Sequence, residues 1–400
     1  MRKIHIPSLP PSYWAILVIS VVGWAGRFIF PFLALYLSVE VGFSPSVTGV
    51  IIALYGLGGL LSVLASGFLI DKFGAKRLLV LSISGTGSAA LGLALSTDER
   101  LISLFVLLVG LFSTVMSPSV NTIITNQMGA ERLRKAISVQ FVAINMGFAI
   151  TPLLSGFLVQ ISYTLLFVAE TIVMTLSLVI VVLFIPKDDF RKIEYSVIST
   201  SPIPIIKSQQ HLLKDKTFLS FMGLNILFMV IYMQSQISLP LVMEGNGFSP
   251  LEYGIILTMN GVIVMIFQIP LDSLTKKFPL SKLLALGMFL LAVGFSVYAV
   301  SDSMLMYVVA VIIWSIGEIF SMPIATVVTS RLAPKSSLGV YQGINSTTHP
   351  IASLIGPIFG GLLLQSFTSQ AFWLICTAIL AVGVILRLIN SPAIDRRIGK

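Results

Sequence analysis

The sequence predicts an all-α membrane protein whose twelve transmembrane helices form two parallel-repeat halves of six. Three observations predict it: an apolar composition, twelve apolar runs with basic residues on one side, and an internal duplication. Of 400 residues, 56% are hydrophobic and 10% are charged, whereas a globular domain typically carries about 25% charged residues. Folded in water, such a chain would expose far more contiguous apolar surface than a soluble protein carries. Its solvent is lipid.

A hydrocarbon core of roughly 30 Å needs about 20 helical residues. Runs that meet this demand lie at 14–37, 46–70, 78–95, 102–124, 136–160 and 165–185. After a polar break they resume at 217–241, 250–271, 283–300, 304–328, 339–365 and 371–389. Strand-like alternation is absent, which favours a helical bundle over a barrel. The first run is too long for a signal peptide and lacks a small-residue cleavage site, so it is expected to remain as a helix.

Charge gives the orientation. With the N-terminus inside and one crossing per run, the inner segments hold Arg2, Lys3, Lys72, Lys76, Arg77, Arg132, Arg134 and Lys135. The 186–216 linker, Lys276, Lys277, Lys282, Arg331, Lys335 and the C-terminal cations Arg387, Arg396, Arg397 and Lys400 follow on the same side. Arg100 alone falls outside, and Arg27 falls within a run. This is the positive-inside asymmetry. The net charge of +9 is thus topology and attraction to anionic lipid rather than a nucleic-acid signature. The lone Cys376 offers neither a disulfide framework nor a metal cluster.

The duplication runs at a constant offset of 205 residues without gaps. Gly42-Phe43-Ser44-Pro45 recurs as Gly247-Phe248-Ser249-Pro250, Lys72-Phe73 as Lys277-Phe278, and Leu78-Leu79 as Leu283-Leu284. Pro118 matches Pro323, Pro152 matches Pro357, Gly156 matches Gly361, and Gln160 matches Gln365. Each copy has six crossings, so both enter from the same face and are parallel repeats, with a substrate site expected between them near the midplane. The expected division is 1–185, a cytoplasmic linker 186–216, and 217–400.

Between the second and third runs the chain reads Gly67-Phe-Leu69-Ile-Asp71-Lys72-Phe-Gly74-Ala-Lys76-Arg77. A small residue for close helix approach, an acid at a helix end, a glycine turn and a basic cluster resemble motif A of the major facilitator superfamily. In the second copy the cations remain, but the aligned acid and glycine are lost. The resemblance implies the major facilitator fold, with the first, fourth, seventh and tenth helices lining a central cavity. It also implies that Gly67, Asp71, Lys72, Gly74, Lys76 and Arg77 form a conformational latch, Asp71 binding a helix N-terminus of the other half in the outward-facing state.

A further pattern is similar to the drug and metabolite:proton antiporter branch. The eleventh helix carries Gly343, Ala352, Gly356-Pro357 and Gly360-Gly361, and the fifth a weaker version with Gly147, Thr151-Pro152 and Ser155-Gly156. Close packing accounts for these small residues as well as antiport does. The arginine that many proton-coupled relatives carry in the fourth helix is absent near Val106, so their proton scheme does not transfer.

Ionisable groups at mid-membrane are costly and are functional candidates by default. Arg27 and Glu318 lie in helices that the resemblance assigns to the cavity. Glu170 lies in the outer part of the sixth helix, and His349 in the eleventh can titrate. Trp24, Trp314, Asn225, Tyr232, Gln236 and Asn345 supply aromatic and polar neighbours, with Ser113, Ser117 and Asn121 in the fourth helix. Each has a plainer reading: Glu318 as a buried structural pair, Arg27 bound to carbonyls freed by Pro31, Glu170 at the rim, and Asn345 and His349 as packing groups.

These residues point to a secondary active transporter working by alternating access: a proton-coupled exporter of small amphipathic compounds, monomeric, in the cell membrane with both termini cytoplasmic. Glu318 is expected to carry the proton and Arg27 to bind an anionic group or tune Glu318. The expected partners are a small-molecule substrate, a proton gradient and the bilayer, with no nucleic acid, metal or cofactor. Without a Walker A loop, ATP is not expected to drive it directly. The alternatives are an organic-anion importer and a lipid translocator. A membrane enzyme lacks a nucleophile–base or metal constellation.

Overall fold

The computed structural model describes residues 11–128, 130–186, 214–334 and 337–398. The 186–216 linker lies outside the described residues except at its two ends. Among the described residues, twelve helices are long and apolar enough to cross a membrane, and there is no strand. In chain order they are α1 (Ser12–Glu40), α2 (Pro45–Phe73), α3 (Ala75–Leu95), α4 (Glu99–Gln127), α5 (Ala130–Ile161) and α6 (Thr164–Phe184). They continue as α7 (Lys216–Gly245), α8 (Pro250–Thr275), α9 (Leu280–Tyr298), α10 (Met304–Leu332), α11 (Leu338–Ser366) and α12 (Ser369–Ile398).

Local chemistry starts these helices where the sequence suggests. Gly42 and Gly247, with φ of 83° and 84°, turn the chain before Phe-Ser-Pro in each copy, a conformation glycine adopts without steric cost. In the second copy Ser249 and Glu252 form a reciprocal capping box with Pro250 in the first turn. Asp98 caps α4 by accepting the Arg100 and Leu101 N–H groups at 3.0 and 3.2 Å.

The apolar runs do not reveal that several helices are interrupted. α1 is helical to Ala25 and again from Ile29. α7 breaks at Met233, α10 at Phe320–Ser321 and α11 at Thr347. Phe28, at the end of the first break, and Met233 are the same position of the duplication. Backbone freed inside a membrane protein must find partners in the protein. In α7, Gln234 supplies them: its Nε2 donates to Val230 O at 2.9 Å and to Gly356 O of α11 at 3.0 Å, while its Oε1 accepts Ser238 Oγ at 2.7 Å.

The chain forms two compact units, Met1–Phe30 with Gly58–Ile193, and Pro31–Leu57 with Glu194–Lys400. In the first, α3 packs against α4 and α6, and α1 against α5 and α6. Its core includes Tyr13, Ile16, Leu79, Ile83, Met116 and Ile124. In the second, α9 packs against α10 and α12, and α7 against α11 and α12. Phe218, Phe221, Leu283, Leu284, Val328 and Tyr341 form its corresponding cluster. Moving six helices along the chain reproduces the same neighbours, which is the duplication expressed as packing. The second unit also takes in Pro31–Leu57, the adjoining ends of α1 and α2: Gly49 meets the Pro357 carbonyl so closely that a Cβ there has no room.

One residue departs from the charge map. Arg387, grouped with the C-terminal inner cations, is 4% exposed within α12. Its Nη2 donates to Asn225 Oδ1 at 2.7 Å and Leu224 O at 3.3 Å. An arginine here is tolerated because α7 turns a side-chain amide and a main-chain carbonyl towards it.

Candidate functional site

In the first unit the polar centre is the interruption in α1. Pro31 falls in the first turn of the segment that begins at Ile29, where a missing N–H costs nothing. Two neighbouring helices satisfy the exposed backbone. From α5, Thr151 Oγ1 donates to Trp24 O at 2.9 Å and Ser155 Oγ to Phe28 O at 3.3 Å. From α6, the carboxylate of Glu170, 2% exposed, accepts the Ile29 N–H at 3.0 Å and faces the Phe28 N–H and Arg27. Gly147 lets α5 approach this closely, since a Cβ there would stand 2.6 Å from Val21 O.

Arg27 projects from the break, half-buried. Its Nη2 donates to Ser113 O of α4 at 3.0 Å, and its guanidinium lies 4.1 Å from the Trp24 ring centroid. The plainer reading places Arg27 on carbonyls freed by Pro31; the carbonyl it binds belongs instead to Ser113 of α4.

In the second unit the centre is Glu318 on α10, also half-buried. Its Oε2 accepts Asn260 Nδ2 of α8 at 2.8 Å and the Tyr232 hydroxyl of α7 at 3.1 Å. Asn260 also donates to Ser315 Oγ at 3.0 Å. The Gln236 amide faces the Tyr232 hydroxyl. Trp314 is fully buried, edge-on to Tyr232 at 5.7 Å, and its Nε1 donates to Tyr298 OH at 2.8 Å. Gly317 allows α10 to lie directly on α9, where a Cβ would be 2.6 Å from Gly287 O. That contact fixes the face on which the next residue, Glu318, points.

These two centres occupy the same positions of the duplication. Arg27 corresponds to Tyr232 and Ser113 to Glu318 at the 205-residue offset, and each pair is hydrogen-bonded within its own unit. One scaffold contact has thus been furnished with a cation in one half and a carboxylate in the other.

The remaining candidates lie elsewhere. Asn225 is bound to Arg387 rather than to the Glu318 cluster. His349 is exposed, with Nδ1 3.4 Å from Ser353 Oγ, and Asn345 is half-buried one turn before it in α11. In the motif A segment, Gly74 (φ 88°) makes the α2–α3 turn. Lys76 Nζ caps the C-terminal carbonyls of α6 at Val182 and Ile185, a favourable place for a cation. Lys72 lies over the Phe68 and Phe73 rings at 5.7 and 5.3 Å. Asp71, Lys72 and Arg77 are exposed, and a Cβ at Gly67 would meet nothing within 4 Å. A cavity of about 210 Å³ between α3 and α6, lined by Ser84, Ser88, Thr171 and Thr175, contains none of these candidates.

Sequence reasoning missed Asn260 and the capping role of Glu170. Asn260 reads as one polar residue in an apolar helix, and only the proximity of α8 to α10 gives it a carboxylate. For Glu170 a signal existed: Gly26 and Pro31 mark a weak point in α1, and a weak point needs a partner.

The sequence model of the Major Facilitator Superfamily matches residues 15–244 and 226–399. An MFS-type transporter of Bacillus subtilis, YttB, is 26% identical over 94% of this chain and 93% of its own length. A Na(+), Li(+), K(+)/H(+) antiporter of Planococcus maritimus is 22% identical over 82% and 84%, and Multidrug resistance protein 2 of Bacillus subtilis is 22% identical over 80% of each. Among solved structures, a point mutant of the nucleoside transporter NupG superimposes with a TM-score of 0.83 at 13% identity, covering 95% of this chain and 99% of that one. A POT family transporter in complex with a thioalcohol-conjugated peptide gives 0.76 at 16% identity, covering 96% of each. With residues 15–399 matched in two overlapping segments, its twelve helices and its duplicated packing, the chain belongs to the Major Facilitator Superfamily.

Proposed function

We propose that this multi-pass transporter is a proton-coupled exporter of small amphipathic compounds, working by alternating access between its two repeats. The observation that carries this reading is Glu318: a carboxylate among apolar helices whose hydrogen-bond partners, Tyr232 and Asn260, are neutral. An adjacent cation favours the ionised form of a carboxylate, and burial favours the neutral one. Neutral donors leave it able to take up and release a proton. Trp314 and Tyr232 give the neighbourhood the aromatic character that suits moderately hydrophobic solutes. The cation/proton antiporter and the multidrug resistance protein among the relatives support the same reading.

In this scheme the protein lies in the cell membrane as a monomer with both termini cytoplasmic. The halves 1–185 and 217–400 are joined by the 186–216 linker. The exposed Asp71 and the open space at Gly67 form the docking face of the latch. Arg27 supports a second reading, uptake of an organic anion, because its half-buried guanidinium is a carboxylate or phosphate clamp.

Inside-out vesicles separate the two. Export appears as accumulation of a lipophilic cationic dye when the lumen is acidified, and Glu318→Gln reduces this uphill accumulation to background while downhill exchange persists. Undiminished uphill transport by the Gln variant between pH 6 and 8 removes Glu318 as the coupling group. Proton-driven movement of an organic anion in the opposite sense favours the second reading.

A further inference from the structure

From the geometry around the α1 break we infer that Glu170 is a second proton-responsive carboxylate, a positioning residue that holds the break, and with it Arg27, only while it is ionised.

The break is built rather than frayed. Its carbonyls are taken by Thr151 and Ser155 of α5, and its N–H groups by Glu170 of α6. Hydroxyls give a cap that does not change with pH. A carboxylate gives one that does: its negative charge favours the N–H groups that start a helical segment, and a proton removes that charge. Glu170 is 2% exposed, so bulk water does not replace the lost interaction.

Arg27 is the charged group that faces Glu170. The elements packed on α6 otherwise present neutral groups there. α3 offers the Gly87 carbonyl to Thr171 Oγ1 at 3.2 Å, and α5 offers Thr151 and Ser155 to the break. A proton on Glu170 therefore acts at two points. It weakens the hold on Ile29 and removes the negative charge that faces Arg27. The guanidinium then keeps Ser113 O and the Trp24 face without an anion facing it from α6, and it becomes available to an anionic group of a substrate. The position matched to Glu170 in the second copy is Ile375, so this carboxylate is not part of the shared scaffold.

This inference extends the transport reading by adding a protonatable group in the repeat that lacks Glu318. Its test requires no transport. Amide hydrogen exchange is measured in lipid nanodiscs at pH 8 and pH 5.5 on peptides spanning residues 26–31, corrected for the intrinsic pH dependence of exchange. In the parent protein the corrected exchange of this segment is expected to quicken by at least about tenfold at the lower pH, the effect of one pK unit of differential interaction. Peptides from α3 serve as an unchanged reference. Glu170→Gln, which retains the shape, is expected to exchange fast at both pH values, and Glu318→Gln to keep the parental response. Equal corrected exchange at the two pH values in the parent, or a retained response in Glu170→Gln, overturns the inference. The parental comparison decides even if the variant does not fold. If Glu318 proves not to couple protons, this readout is unaffected.

Discussion

Asp215, at the N-terminus of α7, gathers four helices of the second unit. Its Oδ1 accepts Arg397 Nη1 of α12 at 2.6 Å and the Phe218 N–H at 3.1 Å, and its Oδ2 accepts the Tyr341 hydroxyl of α11 at 2.6 Å. Arg397 Nη2 reaches on to Leu332 O at the end of α10, also at 2.6 Å. Replacing Asp215 with Asn keeps the shape and one acceptor but removes the charge. Breaking a fully buried ion pair costs about 3–5 kcal/mol, and an exposed pair contributes about 0–1 kcal/mol. Here the Asp side chain is 4% exposed and the Arg side chain 33%, so the loss is expected near 2 kcal/mol, between those limits. For a body of some 200 residues that corresponds to a fall in Tm of about 4–8 °C.

Cys376, the single cysteine, is fully buried in α12, so a fluorogenic thiol reagent reports the opening of this unit directly. The effect should depend on pH. Burial pushes the Asp215 carboxyl up, but hydrogen bonds from Arg397, Tyr341 and the Phe218 N–H outweigh it and hold the group below its ordinary value. A depressed carboxyl contributes stability that is fully present above its unfolded value and is lost as the pH falls through the folded one. The Tm gap between parent and Asp215→Asn should therefore be constant at pH 6–8 and close on strong acidification. A gap below about 1 °C at pH 7, against the 4–8 °C expected, or one that widens in acid, refutes the argument.

Further substitutions test other parts of the structure. Gly74→Ala forces a side chain into φ 88°, ψ 152° and should cost about 1–3 kcal/mol in the same thermal assay. Gly67→Ala enters open space, so its Tm should not change while transport falls if the proposed latch docks there. Arg387→Ala strips the partner from buried Asn225 and should cost about 1–3 kcal/mol, whereas Arg387→Met combined with Asn225→Leu should recover most of that loss. A double variant as unstable as the single one would mean that the arginine itself is required.

Much of the fold was legible because membrane solvation is a strong and local constraint. Each run had to be about 20 residues long to span the hydrocarbon core. The duplication was legible down to the turn, with Gly42 and Gly247 adopting the same φ. Glu318 and Arg27 stood out because a charge in an apolar run is rare. Asn260 did not stand out, and although Glu170 and Ser113 did, the contacts they make did not, since those reach other helices. Arg387 shows the same limit from the opposite side: its spacing suits an inner-surface cation, and only the Asn225 amide and Leu224 carbonyl across the helix pair explain its burial.

By itself the sequence determined the twelve crossings, the two copies and the turns between helices, because those follow from composition, periodicity and residue-specific backbone preferences along a continuous stretch of chain. The tertiary structure decided where helices break and which polar groups meet. An interruption such as that at Gly26–Phe28 survives in an apolar medium only where other helices bring Thr151, Ser155 and Glu170 to its exposed backbone, and that complementarity exists only after the helices have packed.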